Sequence, residues 1–198
     1  EAGRRVGELK MDARVLKYSD ADAGDDVAVL MVLKRDFVAA RADFLAGDKP
    51  PAIGIALSHV GSLLGQMGAN SYTTGVMSQV GRVHKGKVYD QVTTPGFPGS
   101  SGGGVFLADS GLCIGTLVRG AGETFCLIVP ARRLFSFARQ NQVEWVFDRA
   151  AKVPTLEEIE KMAIEREGSD GNRAPNDGAS AGKTMEHVPV RPVPVLDL

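Results

Sequence analysis

The segment Pro98-Gly99-Ser100-Ser101-Gly102-Gly103 lies in a run, residues 94–104, that holds two prolines, five glycines and two serines. That composition predicts a loop. A serine hydroxyl becomes a nucleophile when a neighbouring base accepts its proton, and the oxyanion that then forms needs fixed donors. A glycine two residues before Ser101 lets the backbone turn so that two N–H groups face one point. The segment is a candidate nucleophile loop, although a flexible linker would contain the same residues.

Short apolar or β-branched stretches precede and follow this loop. Strands are predicted over residues 5–18, 27–33, 52–60, 72–83, 88–94, 105–107, 112–118 and 125–129. The run 27–33 is continuously apolar and short enough to be a buried strand. Many short strands at regular spacing indicate an antiparallel barrel or sandwich, so the predicted fold class is all-β.

The pattern changes after these strands. Residues 131–140 predict a helix, and Thr155 with Glu158 forms a capping box that opens a second helix ending near residue 167. Residues 168–184 are polar and glycine-rich, which predicts a linker. Residues 188–195 alternate valine with proline and predict extended chain, suited to docking on another protein.

Composition and charge argue against several functions. The 198-residue chain has a formal net charge of −1 and no basic block, so nucleic-acid binding is not expected. No run approaches the roughly 20 apolar residues of a membrane span. Cys113 and Cys126 lie in apolar stretches and are predicted to be buried and reduced rather than disulfide-bonded. Neither has metal-ligand spacing, so no metal or cofactor is expected.

Three further segments bear on the nucleophile loop. Asp25-Asp26-Val27-Ala28-Val29-Leu30 places a carboxylate at the mouth of a predicted strand, although acidic turns before strands are common. Residues 73–82 form the strand before the loop, and residues 111–118 with 126–130 form a hairpin after it. In this order, over residues 3–140, the segments resemble the trypsin-like (chymotrypsin-fold) serine proteases, most closely the HtrA/Deg branch.

The resemblance implies two antiparallel six-stranded β-barrels with the active site between them. Residues 1–50 would be the latter part of the first barrel, and residues 51–147 the second barrel with its helix. Residues 148–167 would be an amphipathic helix, and residues 168–198 an extended tail. The first barrel would be incomplete in this chain, so we expect an upstream fragment or a partner chain to complete it.

The resemblance also assigns roles in peptide hydrolysis. Ser101 would be the nucleophile, Asp26 would orient a histidine, and the N–H groups of Gly99 and Ser101 would bind the oxyanion. The specificity pocket would be walled by Thr94, Pro95, Gly96, Thr116, Leu117 and Val118. Because Pro95 falls at the expected base of the pocket, no acidic residue selects arginine or lysine, and an apolar side chain is the expected preference.

The catalytic histidine is the main departure from the family. It belongs upstream of the aspartate, and this sequence begins after that point. His59 falls in the segment that links the barrels, His84 in a hairpin turn and His187 in the tail, and each is expected to be an ordinary surface or loop residue. An upstream segment, separated by self-processing as in a viral polyprotein, could supply the histidine. Alternatively, the chain is an inactive protease-fold subunit with a structural or assembly role.

Overall fold

The computed structural model describes residues 12–32, 41–65, 67–120, 124–148 and 150–164. The strands are β1 (Arg14–Tyr18), β2 (Ala28–Met31), β3 (Ala56–Leu63), β4 (Gly68–His84), β5 (Lys87–Val92), β6 (Gly104–Leu107), β7 (Cys113–Gly120) and β8 (Cys126–Pro130). The helices are α1 (Ala131–Gln140) and α2 (Leu156–Glu160), with a 3-10 turn at Glu144–Val146 between them. The all-β prediction is confirmed, and the tail predictions lie outside the described residues.

Strands β3 to β8 close into one barrel, in the order β3-β4-β5-β8-β7-β6, with β6 pairing back to β3. Every neighbouring pair is antiparallel. Closure leaves no unpaired strand edge, and the inward-facing side chains pack as a single core. The members of that core are Leu57, Met77, Val92, Val105, Leu107, Ile114, Leu117, Cys126 and Ile128. The loop that carries Ser101 joins β5 to β6 and is therefore held at both ends by barrel strands.

Strands β1 and β2 form a separate two-stranded antiparallel sheet. The prediction of a buried strand over residues 27–33 is wrong, because β2 alternates between exposed and half-buried residues and Leu30 is 60% exposed. No second layer of described residues covers the face of β2 that carries Leu30. A two-stranded sheet is marginally stable by itself, so this one depends on its contacts with the barrel. A first six-stranded barrel remains a prediction.

Ion pairs attach the acidic turn before β2 to the barrel. Lys85 at the tip of the β4–β5 hairpin lies 2.8 Å from a carboxylate oxygen of Asp22. Asp25 pairs with Lys87 of β5 at 3.5 Å and with Arg133 of α1 at 3.4 Å. These contacts fix the position of the turn, residues 20–26, relative to the barrel.

The second helix is shorter than its sequence pattern predicts. The capping box is present: the Thr155 hydroxyl accepts from the Glu158 N–H, and the Glu158 carboxylate accepts from the Thr155 N–H. The helix nevertheless ends at Glu160 rather than near residue 167. Residues 161–164 are described and are not helical. No helix in the described part of the chain is long and apolar enough to cross a membrane.

Candidate active site

The nucleophile loop, residues 93–103, presents Ser101 at the surface while Ser100 beside it is fully buried. From residue 99 to residue 102 of this loop, backbone N–H groups without an acceptor among the described residues alternate with hydrogen-bonded ones. The N–H groups of Ser100 and Gly102 donate to Phe97 O and Leu117 O, at 2.9 and 2.7 Å. The N–H groups of Gly99 and Ser101 donate to no acceptor among the described residues. Two free backbone donors this close in sequence are available to bind an anionic oxygen, which is what an oxyanion hole needs.

Gly99 sits at the tightest point of this loop. Its φ is +97°, and a Cβ there would lie 2.4 Å from Ser62 O and 2.8 Å from Gly65 N. The loop is also held by the bond from Leu64 N–H to Pro98 O, at 2.8 Å. Only glycine fits such a conformation at such a distance, so the identity of residue 99 follows from the geometry of the loop.

A cavity of about 360 Å³ opens beside Ser101. It is lined by Gly96, Phe97, Pro98, Ser101, Leu117, Arg119, Gly120 and Cys126. Gly96 keeps it open, because a Cβ at this position would lie 2.9 Å from Cys126 Sγ and 3.2 Å from Leu117 Cδ1. The lining is apolar apart from Ser101 and Arg119, so the cavity suits an uncharged side chain.

Two of the six residues predicted to wall the pocket line the cavity, and four do not. Gly96 and Leu117 line the cavity, whereas Thr94, Pro95, Thr116 and Val118 are not among its lining residues. Thr94 is fully buried, and its hydroxyl has no partner among the described residues. Its backbone presses against β4, where a Cβ at Gly75 would lie 2.4 Å from Thr94 N. Thr94 therefore packs behind the loop rather than facing the cavity.

Asp26 reaches the site through Arg119. One carboxylate oxygen, Oδ2, lies 3.6 Å from Arg119 Nη2, and Arg119 in turn lines the cavity beside Ser101. Arg119 also pairs with Asp22 at 3.4 Å and donates to Ala21 O. Partial burial raises the pKa of Asp26, while Arg119 and Arg133 oppose that rise. No described contact joins Asp26 directly to Ser101.

The expectation for His59 is wrong. His59 is not a surface or loop residue; it lies within β3 and is completely buried. The reason is that β3 pairs on both sides, with Thr73 of β4 and Val105 of β6 opposite His59. The strand predicted over residues 52–60 is present, but it is an interior strand of the barrel, so His59 does not lie in a connection between barrels. His84 is exposed at the end of β4, as expected, and His187 lies outside the described residues.

The Ser101 hydroxyl makes no hydrogen bond in the part of the chain that the structure describes. Arg119 escaped the sequence analysis, and so did the packing of Cys126 against the cavity. The sequence signal for Arg119 was a single arginine directly after the apolar strand predicted over residues 112–118. Over the described ranges, no group of three or more histidine, cysteine, aspartate or glutamate side chains could hold a metal.

Comparison with known proteins places this geometry in a fold. No protein-family model matches the sequence, and no curated protein matches it. The HtrA-type protease AlgW with a tripeptide is 22% identical at a TM-score of 0.52, over 67% of this chain and 44% of that one. AlgW with a decapeptide is also 22% identical, with a TM-score of 0.53, over 67% of this chain and 40% of that one. Rv3671c from M. tuberculosis H37Rv is 17% identical, with a TM-score of 0.51, over 66% of this chain and 64% of that one. That structure is of a serine-to-alanine mutant in an inactive form.

The chain thus spans less than two thirds of the length of each of these proteases. The likeness extends over about two thirds of this chain, at TM-scores just above 0.5. The chain has the trypsin-like serine protease fold of the HtrA-type proteases.

Proposed function

We propose that this chain belongs to a serine endopeptidase that hydrolyses peptide bonds through an acyl-enzyme on Ser101. One observation carries the proposal. Ser101 is exposed beside an apolar cavity, and the N–H groups of Gly99 and Ser101 have no acceptor among the described residues. A nucleophile, a side-chain pocket and paired oxyanion donors in one place are the elements of acyl transfer.

In the proposed mechanism, each group has a distinct role. A histidine would accept the Ser101 proton as Oγ attacks the peptide carbonyl, and would then donate that proton to the departing amine. The N–H groups of Gly99 and Ser101 would stabilise the oxyanion, and Asp26 would orient the imidazolium. Water activated by the same histidine would release the acyl group.

We propose that the histidine comes from an upstream fragment or a partner chain that completes the first barrel. Self-processing between the histidine and Asp26 would separate such a fragment. The face of the β1–β2 sheet supports this proposal. A groove of about 870 Å³ next to this sheet is lined by apolar residues, of which Leu30, Val153 and Leu156 are each more than half exposed. The Trp145 indole N–H in the same groove is buried without a partner among the described residues.

The cavity supports a preference for an apolar side chain in a peptide or protein substrate. Its described lining carries no carboxylate, and the guanidinium of Arg119 would repel a basic residue of the substrate. Cleavage after arginine or lysine is therefore disfavoured. Docking of the tail, residues 188–195, on another protein remains a proposal from composition.

The test is labelling of the native material with a fluorophosphonate probe, followed by intact mass measurement and identification of the labelled peptide. We expect one label on Ser101 and a co-purifying histidine-containing fragment. Ser101→Ala is the matched control for serine selectivity. Labelling at Ser100, which is buried, would indicate a loop unlike the one described. Absence of labelling when the fragment is present would refute the proposal.

A second candidate function is an inactive protease-fold subunit in a larger assembly. The observation that favours it is the Arg119 ion pair, which already occupies one oxygen of Asp26. The same labelling experiment separates the two candidates, because a structural subunit would retain its fragment and its fold but would not react.

A further inference from the structure

His59 lies directly beneath the nucleophile loop. It is fully buried within β3, and its Nδ1 lies 3.0 Å from Gly104 O, at the point where the loop enters β6. The carbonyl can only accept, so Nδ1 carries the proton and donates it. Nε2 is then an acceptor, and it has no partner among the described residues.

The imidazole fills the space between β3 and the loop. A Cβ at Gly61 would lie 2.6 Å from His59 Nε2 and 3.5 Å from Ser100 Cα. A Cβ at Gly103 would lie 2.5 Å from His59 Cε1 and 2.9 Å from Ser100 O. The ring therefore leaves no room for a side chain at Gly103, two residues after Ser101, and lies on the side of the loop where Ser100 is buried. A change at the ring must be transmitted to the loop backbone, because interiors packed this closely transmit strain.

If the ring took up a second proton, the Nε2–H group would have no acceptor among the described residues. Adding a proton turns Nε2 into a donor and places a positive charge in a buried site. The nucleophile loop, β6 and the part of β4 around Thr73 carry no carboxylate, amine or guanidinium next to the ring. Tyr72 is the ionisable residue nearest in β4, and it is exposed opposite Val60. Burial lowers the pKa of His59, and the Gly104 bond only partly offsets this effect.

We propose that His59 is a positioning residue for Ser101, which holds the nucleophile loop in the described arrangement only while its imidazole is neutral. Protonation expels the ring from beneath Ser100 and Gly103, and the loop leaves the conformation that sets the positions of the Gly99 and Ser101 N–H groups. The inference rests on the proposed function only in naming Ser101 as the nucleophile. The coupling between the ring and the loop exists whether or not Ser101 reacts.

The experiment follows the loop and the reaction separately between pH 8 and pH 5. Amide hydrogen exchange, corrected for its intrinsic pH dependence, reports the bonded N–H groups of Ser100, Gly102 and Gly103. Fluorophosphonate labelling reports Ser101. We expect exchange at these amides to rise about five-fold or more as His59 becomes protonated, which is the lower end of the usual coupling between two linked equilibria. His84→Gln, which removes an exposed histidine, should behave as the wild type.

His59→Phe keeps a ring in the site but cannot titrate, and loop exchange should then be independent of pH. If that variant does not fold, NMR titration of His59 in the unaltered chain decides instead. Coincidence of its titration with the rise in loop exchange supports the inference. Ordinary titration near pH 6.5 with an unchanged loop overturns it, and so does a pH-dependent loop in His59→Phe. Absence of labelling at every pH would count against the proposed protease, while the exchange data would still decide the role of His59.

Discussion

Replacement of Gly99 by alanine tests the geometry on which the proposed oxyanion hole depends. The backbone at φ +97° costs an L-residue about 1–2 kcal/mol. The added methyl group would lie 2.4 Å from Ser62 O and 2.8 Å from Gly65 N, so backbone must move. Overpacking of this kind costs about 1–3 kcal/mol. We expect Gly99→Ala to lower the free energy of unfolding by about 2–5 kcal/mol, measured by urea denaturation, and to abolish labelling of Ser101.

Gly111→Ala is the matched control. Gly111 has a similar backbone conformation, φ +70°, but a Cβ there would meet nothing within 4 Å. It should cost only the backbone contribution of about 1–2 kcal/mol and leave Ser101 reactive. The difference between the two variants measures the clash. Equal losses of stability, or unchanged labelling in Gly99→Ala, would refute the inference that this glycine is required by close packing under the loop.

Two further substitutions test charges near the barrel. Arg132 makes two 2.7 Å bonds to the buried carboxylate of Asp90, so Arg132→Met should cost about 3–5 kcal/mol of unfolding free energy by leaving that charge unpaired; a loss below 1 kcal/mol, on the scale of an exposed pair, would contradict this. Burial raises the pKa of Asp26, so the folded chain binds its proton more tightly than the unfolded chain, and the penalty for ionisation grows as pH rises from 3.8. Asp26→Asn should therefore raise the melting temperature at pH 7 but not at pH 3, and a decrease at pH 7 would show that the Arg119 pair outweighs burial.

The strands of the closed barrel could be predicted because their patterns are local. β-branched and apolar runs separated by glycine turns mark each of them, and α1 begins and ends where its pattern does. The exposure of β2 could not be predicted from its own residues. A short, continuous apolar run such as residues 27–33 indicates a buried strand, but burial depends on a second layer, and no described residue supplies one over Leu30.

The site shows the same division between local and long-range information. A Gly-Ser segment between strands predicts a loop with an exposed serine, and Ser101 is exposed. The position of Arg119 depends on the pairing of β7 with β8 and on contacts with residues some 95 positions earlier in the sequence. The strand over residues 52–60 could be predicted, but the burial of His59 could not, because it depends on the pairing of β3 with both β4 and β6.

The carboxylate of Asp26 shows how a histidine could complete the proposed site without disturbing what is already formed. Oδ2 is engaged by Arg119 at 3.6 Å, but Oδ1 has no partner among the described residues. An imidazole Nδ1–H could donate to Oδ1 while the Arg119 pair remains, as the orienting role of a triad carboxylate requires. That bond would stabilise the charged form of Asp26 and offset the burial that raises its pKa. We therefore expect the proposed histidine-bearing segment to bind partly through the Asp26 carboxylate, which is only partly paired among the described residues.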